Sequence, residues 1–327
     1  MPALVRLGLL CLAAISCLVV VGRVWVESLR SEPVAIEMLS VPAGSTASDV
    51  LKALYPTLSA RERSLVFSLY PELTHVQQGK YAFAAGATVL SAMEQIHRGD
   101  AIVERITIPE GITASELFAR LASHGALDGE LTLSDGIWAG LTKNWASHEG
   151  AFLAETYFWQ QDLSQDALLN QAHQALIESL ELAWMHADPV VKSVLKSPYE
   201  LLILASIVEK ETALAVERPR IAGVFIERLK RKMRLQTDPT VIYGLGDRFD
   251  GNLTRQHLRE KTPYNTYRID GLPPTPIALV GPDALGAVAH PEITGELYFV
   301  ADGNGGHVFS RTLEAHNANV RKYQLKR

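Results

Sequence analysis

Cysteine is nearly absent. The 327-residue chain has two, Cys11 and Cys17, both in an apolar stretch near the N-terminus, and none follows. That excludes a disulfide scaffold, a thiolate metal site and a cysteine nucleophile over the rest of the chain. An excess of basic charge is also missing. The 31 Lys and Arg against 36 Asp and Glu give a net charge of −5, whereas binding along a phosphate backbone requires a basic face. Nucleic acid is therefore not an expected partner. The strongest basic run, Arg228, Lys230, Arg231, Lys232 and Arg234, reads as a solvated helix end. Ten histidines occur without a His-Glu-x-x-His pair, so no metal site is expected. The 47% hydrophobic content excludes disorder and can fill a large core, and the length fits about two domains.

Residues 7–22 carry no charge. From Val5 to Val26 the chain would form about 33 Å of helix at ~1.5 Å per residue, enough to cross a ~30 Å hydrocarbon core. Arg23 and Trp25 suit the far interface, and Arg6 with the terminal amine favours a cytoplasmic N-terminus. Residues 1–31 are therefore read as a single-pass anchor in the cytoplasmic (inner) membrane. A cleaved signal peptide and a lipoprotein signal ending at Cys17 are the alternatives. All three export the remainder of the chain to an extracytoplasmic, periplasmic setting.

Beyond the anchor, one local pattern occurs three times. A short β-branched or aromatic run reaches Gly44, Gly86 or Gly111. A threonine follows two residues later (Thr46, Thr88, Thr113), and then a helical pattern starts. A threonine so placed can accept from an orphan N–H of the first turn, and Thr46-x-x-Asp49 and Thr113-x-x-Glu116 resemble capping boxes. Each unit reads as strand, glycine turn and capped helix, at spacings too unequal for a solenoid. Residues 32–103 are expected to form a small α+β module resembling LysM-like carbohydrate-binding domains, with a plain spacer as the alternative. Residues 104–327 form the larger α+β part. Trp138, Trp145, Tyr157, Phe158 and Trp159 could stack on sugar rings or could simply be core.

The segment Leu201–Val208 is uncharged, too short to span a membrane, and reads as a helix buried on most sides. Glu209 follows it directly. Leu202, Ala205, Ser206, Glu209, Thr212 and Ala213 share one face at 3.6-residue periodicity, and their small size leaves room for something to approach. A carboxyl buried there loses hydration, keeps its proton near neutrality and can deliver it to a leaving oxygen. Spacing alone leaves Glu209 and Glu211 as rival candidates. Pro219 is expected to end or kink this helix, and Thr240–Tyr243 to form a short strand or extended segment after a turn at Asp238-Pro239. Gln236, Thr237 and Asp238 cluster hydrogen-bonding groups suited to hydroxyls and acetamido groups. Tyr264, Asn265 and Tyr267 sit in a rigid Pro- and Gly-rich loop region, and the stretch from Glu296 to Ser310 reads as a hairpin. His307 and His316 read as structural or solvent-facing.

Several longer stretches, in order, carry a resemblance. ASIVEKET (Ala205–Thr212), LQTDPTVIYG (Leu235–Gly244), YNTY (Tyr264–Tyr267), GLPP (Gly271–Pro274), YFVADGNGGH (Tyr298–His307) and His316-Asn317 resemble the endolytic murein transglycosylases of the YceG-like family. Upstream, IPEG at Ile108 and the run from Glu149 to Tyr157 also fit. The resemblance implies cleavage of the MurNAc-β-1,4-GlcNAc bond inside peptidoglycan glycan strands. It implies no cofactor, a role in ending nascent strands beside peptidoglycan synthases, and Glu209, the first glutamate of the Glu-Lys-Glu sequence, as the catalytic acid. Gln236, Asp238, Thr240, Tyr264, Asn265 and Tyr267 are then expected along the substrate groove. Ala154, Glu227, Thr275 and Leu279-Val280 depart from the family pattern. A water-using muramidase, with Asp238 or Glu155 as second carboxylate, and a non-catalytic glycan-binding scaffold are the competing functions.

Overall fold

The computed structural model describes residues 16, 20–123, 127–128, 147–159 and 163–324. It is a mixed α+β structure of two compact units, Met1–Arg105 with Phe158–Asp162, and Ile106–Tyr157 with Leu163–Arg327. Among the described residues no helix is long and apolar enough to cross a membrane. The expected span lies mostly outside them, as do Trp138 and Trp145.

In the first unit β1 (Met38–Val41) pairs antiparallel with β2 (Gly79–Ala82), Met38 opposite Ala82 and Val41 opposite Gly79. Three helices accompany them: α1 (Ala47–Leu54), α2 (Ala60–Leu69) and α3 (Val89–Arg98). Val50, Leu51 and Leu54 of α1 and Leu90, Met93 and Ile96 of α3 recur at helical spacing and fill one core around Tyr81. Val26, within the helical stretch 20–28, and Leu29, just after it, are buried in the same core. Val26, the last residue of the span counted from Val5, is thus a packing residue of this unit.

All three strand–glycine–helix units form. Gly44, Gly86 and Gly111 take φ of +81°, +82° and +76°, the left-handed region where a side chain is strained. Thr46, Thr88 and Thr113 each accept from the third residue of the following helix, the last being α4 (Ala114–Ala122). Thr113 and Glu116 complete a reciprocal box, and so do Thr88 and Ser91. Asp49, one methylene shorter than glutamate, instead takes the Thr46 hydroxyl at 2.6 Å. The third unit begins with β3 (Glu104–Thr107), which pairs with β4 (Thr156–Trp159).

The core of the second unit is built on α7 (Pro198–Glu211), which packs against α5 (Gln165–His186), α8 (Arg218–Lys230), α9 (Asp238–Leu245) and α10 (Pro282–Ala289). A short α6 (Pro189–Val194) lies between α5 and α7 in the chain. Every residue of α7 from Leu201 to Glu209 is buried, which explains why its sequence shows no polar face. The hairpin β5 (Tyr298–Ala301) and β6 (His307–Ser310) and the final α11 (Leu313–Tyr323) complete the unit.

Three local expectations are corrected and one open alternative is decided. Pro219 opens α8 instead of ending α7, since at the first turn its missing N–H has no intrahelical partner to lose. Pro239 likewise opens α9, so Thr240–Tyr243 is helical although β-branched. Tyr157 and Trp159 are core residues, the Tyr157 hydroxyl donating to Leu153 O at 2.9 Å, and Phe158 alone of the three is exposed. Arg228 is no solvated helix end: it is buried and donates to the carbonyls of Leu297 (2.6 Å), Arg234 (3.2 Å) and Leu235 (2.7 Å). A guanidinium there ties the hairpin to the chain leaving α8.

Gly223 in α8 tests this packing. A Cβ at that position would lie 2.1 Å from the Glu292 carbonyl oxygen, a backbone atom that cannot swing away. Gly223→Ala is therefore expected to cost about 1–3 kcal/mol, read as a lowered thermal midpoint by circular dichroism. An unchanged midpoint would contradict the close approach of α8 to this strand of chain.

Candidate active site

The small-residue face of α7 is occupied. Residues 276–281 run along it, and two backbone N–H groups anchor them: Ile277 N–H donates to Ser206 Oγ at 3.0 Å and Gly281 N–H to Glu209 Oε2 at 3.1 Å. Ser206 in turn donates to Ile203 O. Ala154 N–H reaches Val280 O at 2.8 Å, and Leu279 exchanges two backbone bonds with Gly111 and Ile112. The family departures Leu279 and Val280 are fully buried here, and Thr275 is buried with its hydroxyl 2.8 Å from the Tyr264 hydroxyl. The room left by Ala205 and Ser206 thus receives a protein loop, and Glu209 stands at its outer end.

Glu209 has 2% of its side chain exposed. Arg218, at the start of α8 and 7% exposed, places Nη2 at 2.7 Å from Glu209 Oε1 and at 2.7 Å from Glu110 Oε2. Asp283, at the start of α10, lies 3.5 Å from Nη1. Glu209, Arg218 and Glu110 border an open cavity of about 510 Å³, shared with Glu116, Lys210, Glu211 and Thr212. Burial pushes the Glu209 carboxyl up from its ordinary 4.5 to about 7, opposed by the Gly281 N–H and the Arg218 charge and reinforced by Glu110. Such a carboxyl holds a proton near neutrality, while two donors already stand where its anion will need them.

Glu211 lies at the meeting of two cavities. It borders the first and also a second, of about 480 Å³, with Gln236, Asp238, Tyr267, Tyr298, His307, His316 and Asn317 around it. Desolvation raises its carboxyl to about 7, and the Thr237 hydroxyl donates to it. Three of the six expected groove residues, Gln236, Asp238 and Tyr267, border this second cavity, with the Tyr267 hydroxyl on Asp238 Oδ1 at 2.7 Å.

The other three do not line it. Thr240 and Asn265 are fully buried. The Thr240 hydroxyl meets Thr266 and Thr237 O, and the Asn265 amide donates to the carbonyls of His257, Leu258 and Glu260. Tyr264 packs edge-on against Tyr243 and bonds Thr275. These residues hold the loops, since polar groups in a tightly folded loop are consumed by its own backbone. Glu155, the other candidate second carboxylate, accepts from its own neighbour Thr156 N–H.

Sequence reasoning missed Glu110, Arg218 and Gly281 as neighbours of Glu209. Glu110 was visible within the Ile-Pro-Glu-Gly turn, where a charged residue beside a left-handed glycine had no structural task. Arg218 next to Pro219 had no signal of its own. Among the described residues no group of three or more His, Cys, Asp or Glu is arranged to hold a metal ion.

Fold and site together define an α+β protein built around a buried carboxyl at an open cavity. The chain belongs to the YceG-like family, which it matches over residues 39–322. The endolytic murein transglycosylase of Bacillus subtilis (strain 168) is 28% identical over 323 residues, covering 92% of this chain and 89% of that protein. That of Streptococcus pneumoniae (strain ATCC BAA-255 / R6) is 26% identical, covering 87% of this chain, which spans 58% of that longer protein. The crystal structure of a yceG-like protein from Listeria monocytogenes has 28% identity and a TM-score of 0.55, covering 86% of this chain and 98% of that one.

The raised Glu209 value has a consequence for stability. A carboxyl whose folded-state pKa is about 7 instead of 4.5 binds more protons folded than unfolded, so its contribution is lost as pH rises through that window. Glu209→Gln removes the loss. It is expected to gain stability relative to wild type between about pH 5 and pH 8, by up to ~3 kcal/mol. Thermal melts across that range check this, and a difference that does not vary with pH would contradict a buried, proton-holding Glu209.

Proposed function

We propose that the chain is an endolytic murein transglycosylase, a lytic enzyme that cuts the MurNAc-β-1,4-GlcNAc bond within peptidoglycan glycan strands. The observation that carries this reading is Glu209 itself: buried, held near pH 7, open to a cavity, and served by Arg218 and the Gly281 N–H. Relatives that cover most of the chain bear the same activity in their names.

Glu209 protonates the glycosidic oxygen as its bond to C1 of MurNAc breaks. The carboxylate that remains is received by the Arg218 guanidinium and the Gly281 N–H. It then takes the proton of the C6 hydroxyl of the same MurNAc, whose oxygen bonds to C1. The products are a GlcNAc end and a 1,6-anhydroMurNAc end. No water is consumed and the proton returns to Glu209. A two-carboxylate hydrolase instead sets its second group across the sugar. Glu110 does not take that place, because it shares a single nitrogen of Arg218 with Glu209 at 2.7 Å. The second cavity, with Gln236, Asp238 and Tyr267 at its border, takes neighbouring sugars of the strand.

The uncharged stretch 7–22 supports a membrane anchor with the second unit outside the cytoplasmic membrane, where nascent strands leave their synthases. The small first unit would hold the catalytic unit off the bilayer or bind glycan.

Purified protein lacking residues 1–19, wild type and Glu209→Gln, incubated with un-crosslinked glycan strands tests the assignment. Wild type is expected to release internal fragments and the variant to be at least about 10²-fold slower, the usual worth of a positioned acid. Equal release by both would remove Glu209 from the chemistry.

A further inference from the structure

Glu110 reaches Glu209 on a turn that is fastened on three sides. Gly111 N–H donates to Leu279 O at 2.9 Å, Leu279 N–H donates to Ile112 O at 2.8 Å, and Lys210 Nζ donates to Gly111 O at 3.0 Å. The partner in two of these bonds belongs to the same short segment whose Gly281 N–H holds Glu209. Its carboxyl lies over Gly281 so closely that a Cβ there would fall 2.1 Å from Glu110 Oε1. Glycine at 281 is therefore what admits Glu110 to this place.

The charges in this corner do not balance. Around the one guanidinium of Arg218 stand Glu209 and Glu110 on Nη2 and Asp283 near Nη1. Lys210 and Glu116 border the same cavity, and Glu211 follows on α7. If all three carboxyls at Arg218 ionised, one cation would face three anions. A proton must stay, and it stays on the group that water reaches least. Glu209 is 2% exposed against 42% for Glu110 and 72% for Asp283, so Glu209 keeps it.

Building on the transglycosylase reading, we propose that Glu110 is a positioning residue for the proton transfer: seated on Arg218 above Gly281, its carboxylate keeps the transferable proton on Glu209 until a glycosidic oxygen takes it. As the proton leaves, Arg218 shifts its charge toward the new Glu209 anion, and the more exposed Glu110 is left to solvent. One guanidinium thus serves two carboxylates in alternation.

The test is a ¹³C NMR titration of the full chain, labelled at its glutamate carboxyls, with the Glu209 resonance assigned by its loss in Glu209→Gln. Glu110→Gln removes the charge. Gly281→Ala leaves the charge but pushes the Glu110 carboxyl off its seat. Both are expected to lower the Glu209 midpoint by about one pH unit, raising its ionised fraction near neutral pH several-fold. In wild type the Glu209 curve is expected to have its midpoint near pH 7, a measurement that needs no variant to fold. A midpoint unmoved in the folded variants, or a wild-type midpoint in the ordinary carboxylate range, overturns the proposal. No substrate is present, so loss of the transglycosylase reading would leave this outcome standing, and an active enzyme with an unmoved midpoint would sink this inference alone.

Discussion

The docking of one loop on one helix face governs this site. Residues 276–281 lie on α7 through two hydrogen bonds, Ile277 N–H to Ser206 Oγ and Gly281 N–H to Glu209 Oε2. The acceptors are three residues apart, about one helical turn. The donors are four apart along a loop that Ala154, Ile112 and Gly111 grip from the other side. Ala205 and Ser206 are small because a backbone must fit there. Burial of Glu209 is a by-product of that fit: the loop covers its inner oxygen and leaves the outer edge open to the cavity.

From this follows the electrostatic character of the site. A carboxyl removed from water prefers its proton, and a fixed N–H and a buried guanidinium prefer its anion. Burial is the larger of the two and the donors offset part of it, which leaves Glu209 titrating near neutral pH and able to act in both directions of a proton cycle. Arg218 is held for this at the first turn of α8, whose start Pro219 defines. Pro282 does the same for α10, which brings Asp283 to the far side of the guanidinium. Two helix starts and one helix end meet around a single charged group, and Gly223 lets α8 come close enough to Glu292 for that meeting to hold.

Much of this was legible in the residues because it depended on neighbours in sequence. The three threonine caps, the glycine turns, the buried run Leu201–Val208 and the terminal hairpin all follow from local geometry, and all formed. What failed to read were features decided across the fold. Arg228 looks like part of a basic surface run until its three carbonyl partners are seen. Thr240 to Tyr243 have strand-like side chains, yet Pro239 placed at a helix start overrides that preference. Tyr264 and Asn265 look free for a ligand, but their loop uses them itself. The uncharged run brought forward Glu209 together with Glu211, and the family resemblance chose between them, whereas the companions Glu110 and Gly281 lie about a hundred and about seventy residues away along the chain and carry no local mark.

The central claim is that one carboxylate gives a proton to the glycosidic oxygen and takes another from within the same sugar. Mass spectrometry of the strand ends released by the wild-type protein measures this directly. The account predicts fragments whose masses sum to that of the parent strand, ending in 1,6-anhydroMurNAc. Fragments heavier together by one water, with reducing ends, would show that water attacks C1 and would contradict it.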